Sequence, residues 1–439
     1  MRRSVESQTE KIGELTEALA ARDARVAELE KLLDDSRRSG KRQAAPFSKG
    51  TPTDEPAKPG RRSGNDHGRH GHRRVPVGPI DRELVAPLPT CCPDCGGSII
   101  HERDEEQFQT ELPDARPAVT RFSVGVGRCT KCKRRVQGRR HEQTSDALGA
   151  AASQVGPHAK SLAIWLHYAL GLSFAKTASL LGHLGVPVTA GAICSASQAV
   201  GTDLVPIQKG IIEAINNSTM VVMDETGWRV GGDGAWLWAA TTKEATAYDV
   251  ADGRGFDQAT DLLDADFDGT LVRDGWAVYR RYNRATHQTC TAHLLRRCEE
   301  MITDLPDWAR GTPRQIKDIL LAGLDARDLP ERERRTVAAD LAERIELLAE
   351  RSHPHDANRR LIKHLVNEAD AVFSFLYDGD IDATNWRGEQ AIRPAVVNRK
   401  VWGGNRTWKG AASQSRIMSA IRTATQQGVD PIGFLVRLA

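Results

Sequence analysis

The sequence predicts a multidomain chain whose main body is an α/β domain carrying a helical insertion. Three observations point there. Residues 1–36 follow a heptad pattern, two CxxC pairs lie within residues 88–142, and from Thr219 the apolar pattern changes from helical to that of buried strands. At 439 residues the chain exceeds one typical domain. Apolar residues make up 40% of it, enough for real cores, although the aromatic share of 5% is low.

In residues 1–36, Val5, Ile12, Leu15, Leu19, Val26, Leu29 and Leu33 recur at spacings that suit a coiled-coil seam, with charges between them. This predicts an oligomerisation helix and a homo-oligomer. Arg22 interrupts the seam and Gly13 weakens it, and a single amphipathic helix packed on its own protein is the plainer alternative. Residues 37–87 form a basic linker rich in Pro and Gly, including Lys58-Pro-Gly-Arg-Arg62 and the His67–His72 tract. Such a segment buries no core and is expected to be disordered alone. It either follows a phosphate backbone or serves as a solvated tether.

Residues 88–142 read as a zinc ribbon. Cys92-Pro-Asp-Cys95 and Cys129-Thr-Lys-Cys132 are two thiolate knuckles separated by 33 residues. Four soft ligands in two CxxC turns suit closed, tetrahedral, structural Zn²⁺. Cys91 competes with Cys92, but Cys92 has the proper spacing to Cys95. Lys131, Lys133, Arg134 and Arg135 around the second knuckle are candidates for phosphate contact.

Residues 143–217 read as helical. Leu162, Trp165, Leu166 and Ala169 share one face, Phe174, Ala178 and Leu181 another, and Gly185-Val-Pro breaks the pattern before a helix capped by Thr189. Helix, turn, helix is compatible with a DNA-binding helix-turn-helix and equally with a plain bundle.

Residues 218–439 begin with strand runs at Met220–Met223, Ala235–Ala240 and Thr246–Val250, then a helix near Gln258–Leu263 and a short strand at Gly269–Arg273. That order is expected of an RNase H-like α/β domain. A charged helical stretch, about residues 300–378, reads as an insertion, and helix resumes after Asn385.

Acids at strand ends carry the candidate chemistry. Asp224 is expected at the end of the first strand and Asp274 at the end of Leu271–Arg273, within reach of one metal pair. Glu389 lies in a basic helix. Hard carboxylate oxygens suit Mg²⁺ or Mn²⁺, and two such ions can activate a hydroxyl and stabilise a leaving oxygen in an in-line displacement. Spacing alone leaves ordinary strand caps as the alternative. Glu225 is expected on the opposite face by strand alternation.

Longer motifs add a resemblance. Asp224-Glu-Thr-Gly-Trp-Arg-Val230 with Ala235-Trp-Leu-Trp-Ala239, Leu271-Val-Arg-Asp274-Gly-Trp-Ala-Val-Tyr279, Cys290-Thr-Ala-His293 and Asn385-Trp-Arg-Gly-Glu389 through Lys400 resemble blocks of the insertion sequence 66 family of transposases (the TnpC type, within the DDE superfamily). The Cys ribbon, the basic linker and the heptads come in the same order as in that family. The resemblance implies a DNA transposase with an RNase H-like core and with Asp224, Asp274 and Glu389 as Mg²⁺ ligands. It implies double-stranded DNA, at transposon ends and target, as partner, together with accessory transposition proteins.

His293 reads as a phosphate or carboxylate contact beside that site, or else as a structural residue at a helix start. Arg387, Arg393, Arg399 and Lys400 are candidates for DNA-backbone contacts, with a solvated helix face as the alternative. Trp228, Trp236, Trp238 and Trp276 read as packing residues, whereas Trp386 and Trp402 could touch DNA.

The net charge of +3 averages a basic stretch, Arg37–Arg74, and an acidic one, Asp249–Asp268, as expected of a nucleic-acid binder with an anionic centre. No apolar run reaches the ~20 residues of a membrane span, and the opening residues lack the apolar core of a signal peptide. The eight Cys suit a reducing compartment. The expected location is therefore cytoplasmic, at the nucleoid. Two other functions fit the same elements: a zinc-ribbon DNA-binding regulator with a silent RNase H-like domain, and a nuclease that cuts without joining.

Overall fold

The computed structural model of the chain describes residues 79–111, 117–145, 147 and 154–438. The predicted coiled coil and nearly all of the basic linker lie outside the described residues. The chain divides into two compact units, residues 1–115 and 116–439.

In the first unit, the described residues carry a tight turn at the first Cys pair. The N–H of Cys92 donates to Gly97 O (2.9 Å) and the N–H of Gly96 donates to Cys92 O (2.8 Å). In the second unit a short antiparallel hairpin, β1 (Val126–Arg128) and β2 (Arg135–Gln137), holds the second pair at its tip. There Cys129 N–H donates to Arg134 O (2.8 Å) and Lys133 N–H to Cys129 O (3.0 Å). The residue after each knuckle, Gly96 (φ 74°) or Lys133 (φ 61°), takes the left-handed conformation that the turn requires.

Four helices follow: α1 (Pro157–Tyr168), α2 (Phe174–His183), α3 (Ala190–Asp203) and α4 (Val205–Asn216). Ser173 and Thr189 cap α2 and α3, accepting from Lys176 N (3.3 Å) and Ala192 N (3.1 Å). Ala163, Leu181 and Ile193 form a small core between α1, α2 and α3. Ile164, Tyr168, Val200 and Leu204 point the other way, into the core of the sheet that follows.

That sheet has five strands: β3 (Met220–Val230), β4 (Asp233–Thr241), β5 (Thr246–Ala251), β6 (Thr270–Arg273) and β7 (Thr286–Thr289), in the order β5-β4-β3-β6-β7. β3, β4 and β5 are antiparallel, while β6 and β7 run parallel to β3. This mixed sheet, covered by helices, fits an RNase H-like core. A short helix, α5 (Phe256–Thr260), comes between β5 and β6.

The first strand departs from the sequence expectation. It does not stop at Met223 but runs through Asp224 to Val230. Gly231 (φ 64°) and Gly232 (φ 100°) form a two-residue hairpin turn that keeps β3 paired with β4 from Val222↔Thr241 to Val230↔Asp233. The parallel partner leaves earlier: β6 pairs with β3 only from Met220 to Val222. Asp224 therefore sits mid-strand, yet beyond the end of the parallel pairing.

Alternation along β3 assigns the two faces. Val221 and Met223 join α4 in one core; Val222 packs in the core of the helical insertion, and Trp228 and Val230 pack with the C-terminal helices. Asp224 lies between those last two cores. The insertion comprises α6 (Thr291–Asp304), α7 (Gly311–Asp325), α8 (Glu331–Ala349), α9 (Asp356–Asn367), α10 (Ala369–Val372) and α11 (Ser374–Tyr377). The chain then returns as α12 (Trp386–Trp402), α13 (Trp408–Gln426) and α14 (Pro431–Val436). Ser419 and Thr423 of α13 bind the backbone of β5.

Candidate active site

Asp224 and Asp274 come together because their strands are neighbours. Asp274 immediately follows the last residue of β6, and its Oδ1 accepts the N–H of Trp276 (2.8 Å), which fixes the turn after the strand. Asp224 Oδ1 accepts the N–H of Glu225 (3.0 Å). Burial, with the negative charges of Glu225 and Asp274, raises the Asp224 carboxyl from 3.8 to about 7. A carboxyl so destabilised in its charged form is a natural partner for a cation.

Helix α12 brings the third acid. Asn385 Nδ2 donates to Met223 O (3.2 Å), and Asn385 N–H donates to the Sγ of Cys290 (3.2 Å). Cys290 N–H in turn donates to Arg273 O (2.8 Å). Buried Cys290 thus ties together the end of β6, the start of α6 and the start of α12, which accounts for this residue without a metal. Gly388 makes the close approach: a Cβ there would lie 3.0 Å from Asp224 Cβ and against Asn385 Oδ1. The small residue before Glu389 is needed, because the helix start rests directly on Asp224.

The carboxylate of Glu389 is not gathered with the other two. Its Oε1 lies 3.9 Å from His293 Nε2 and 3.9 Å from Arg296 Nη2, and its side chain is 47% exposed. Among the described residues no group of three or more His, Cys, Asp or Glu side chains is drawn close enough to hold a metal ion. As donors, Asp224 and Asp274 fit a hard divalent cation: both are oxygen ligands, and the Asp274 charge adds to the cost of ionising Asp224. The Cys290 thiol beside His293 raises its pKa, against the effect of burial.

Glu225 points to the other face, as alternation requires. It is bound by Arg254 Nε (2.7 Å), Arg254 Nη2 and the hydroxyl of Tyr279. Arg254 is stacked between Trp236 (4.7 Å) and Trp276 (4.1 Å).

A comparison with protein families matches residues 152–413 to the family described as Transposase IS66 family. The chain belongs to that family. The match spans α1 through the first turns of α13, and so includes Asp224, Asp274 and Glu389. A curated relative, the uncharacterized protein y4qI of Sinorhizobium fredii, is 26% identical over 317 residues. The match covers 61% of this chain and 56% of the relative, so the chain spans little more than half of that protein's length.

The basic candidates of this family member divide by environment. Lys131, Lys133, Arg134 and Arg135 are all exposed around the hairpin tip. Arg393 and Lys400 are exposed on α12, and Arg399 is half-buried. Arg387 is committed elsewhere: its Nε donates to Asp382 Oδ2 (2.7 Å), and its guanidinium lies over Trp386. Trp386 is exposed, whereas Trp402 stacks on His167 (4.9 Å). In each CxxC turn, backbone N–H groups lower the pKa of the first thiol, Asp94 and Cys95 acting on Cys92 and Cys132 chiefly on Cys129. That favours the thiolate a soft metal binds. Among the described residues no helix is long and apolar enough to cross a membrane.

Sequence reasoning missed the residues that hold this site in place. Asn385 and Cys290 were in recognised motifs but had no assigned role. Arg254 carries no local signal, since its partner Glu225 lies far away in the chain.

Proposed function

We propose that this chain is a DNA transposase that binds the ends of its insertion element and cuts and joins DNA strands with divalent metal ions held by Asp224, Asp274 and Glu389. The observation that carries the proposal is the uncompensated Asp224 carboxyl beside Asp274, at the ends of two neighbouring parallel strand segments. Bound Mg²⁺ or Mn²⁺ would supply a lowered pKa for the attacking water or 3′-hydroxyl and charge stabilisation for the leaving oxygen. Asp224 and Asp274 hold fixed positions for that purpose, and Glu389 joins them by leaving His293. His293 and Arg296 then face the anionic backbone. The exposed Lys131, Lys133, Arg134, Arg135, Arg393 and Lys400 serve as phosphate contacts, and the thiolates of the CxxC turns are zinc ligands.

Labelled end DNA incubated with the full chain and Mg²⁺ or Mn²⁺ tests this. Nicking at the element end that Asp224→Asn abolishes is the expected result; no cleavage by the wild type with any end sequence overturns it. One observation favours a second reading, a DNA-binding regulator with a silent catalytic domain: Glu389 stands away from the acidic pair. Such a protein would retain end DNA without cutting it.

A further inference from the structure

The loop that carries Asp274 is gripped by the helical insertion from both sides. Just before it, Arg273 is 2% exposed and its Nη1 is bound by the carboxylate of Glu368, whose side chain is 0% exposed, in the corner between α9 and α10. The same nitrogen donates to Asp274 O (3.0 Å) and Thr289 Oγ1 (3.2 Å). The other Glu368 oxygen accepts from Arg280 Nη1 (2.7 Å), just beyond the loop. After Asp274, Gly275 leaves no room for a Cβ, because the ring of His364 from α9 lies against it.

A carboxylate with no solvent contact is tolerated only when fully paired, and here both oxygens are taken by arginines that flank one loop. Packing alone does not require a charge at that corner. Partners that orient a ligand without touching the metal govern how well the ligand binds. We propose that Glu368, supported by His364, is a positioning residue for Asp274: the insertion holds the acid in the geometry for binding a divalent cation. This rests on the metal-dependent reading above.

The test uses the full chain with Mn²⁺ as probe, followed by the loss of its free-ion paramagnetic signal. Hydrogen exchange of residues 274–282 in metal-free protein gives a second readout. Glu368→Gln and His364→Ala are each expected to weaken Mn²⁺ binding by roughly 10-fold or more. Exchange in the loop should quicken while the β4–β5 hairpin keeps its protection. In end-DNA cleavage, kcat should fall with KM for DNA little changed. If the wild type shows no Mn²⁺ binding that Asp274→Asn removes, the metal-dependent reading fails and this inference falls with it. If the wild type binds Mn²⁺ and the folded variants bind it equally well, the inference alone is overturned. Should Glu368→Gln not fold, His364→Ala decides by the same criterion.

Discussion

Asp224 and Glu225 are neighbours on β3 and live in opposite circumstances. Glu225 faces one side of the sheet, where Arg254 and Tyr279 satisfy its oxygens and two tryptophans clamp the arginine. Asp224 faces the other side, where burial, with the charges of Glu225 and Asp274, raises its carboxyl to about 7. One strand therefore carries a carboxylate held by its own partners and another without them, and burial raises the pKa of both. Uncompensated charge at a fixed position is what a cation site needs in its empty form.

The comparison breaks most visibly at Asp224. Asp224→Asn should reduce end cleavage by on the order of 10³-fold or more, measured on labelled DNA, while leaving the metal-free protein at least as stable. The carboxyl titrates near 7 when folded against 3.8 ordinarily, so the folded chain binds more protons than the unfolded chain between those values. Stability of the metal-free protein should thus fall as pH rises from about 4 to about 7, by up to roughly 4 kcal/mol. Melting curves across that window should show a smaller slope in Asp224→Asn than in the wild type, the remainder coming from the raised carboxyls of Glu225 and Asp249.

Glu225→Gln should give the converse signature. Removing the charge from a buried pair leaves Arg254 and Tyr279 poorly matched, at a cost of about 3 kcal/mol read as a lower melting temperature. The pH slope from Asp224 should shrink but remain, because burial supplies the larger part of its shift and Glu225 only the next. Gly388→Ala should cost about 2 kcal/mol through overpacking. It should also depress cleavage, because the added methyl pushes α12 away from Asp224. The smallest effect serves as a control: Thr189→Ala removes the cap of α3 and should lower stability by about 1 kcal/mol. It should leave both the pH slope and the metal response unchanged.

Much of this was legible in the sequence. Apolar runs marked the starts of β3, β4 and β5, Thr189 marked the start of α3, and Glu225 was placed on the correct face by alternation alone. The length of β3 was not, because the Gly231-Gly232 turn that extends it was not weighed as a hairpin signal. Strand β7 was invisible for a physical reason. Its Thr-His-Gln-Thr sequence is polar, and its burial depends on the insertion: Gln288 binds Val372 O and Phe375 N. The nearness of Asp224 and Asp274 followed from strand ends. The docking of α12 through Asn385 and Gly388 did not, since contacts that span more than 160 residues leave no local periodicity.

The docking of α12 also orders the events of synthesis. Once the chain through Asp274 has left the ribosome, Asp224 and Asp274 can already stand side by side, pressing charge against charge. The segment that closes over them emerges only after the whole insertion has been translated. A chain interrupted before Asn385 would own the acidic pair and its cost without the helix that completes it. Only a chain made through α12 can dock that helix beside Asp224, by way of Asn385 and Gly388.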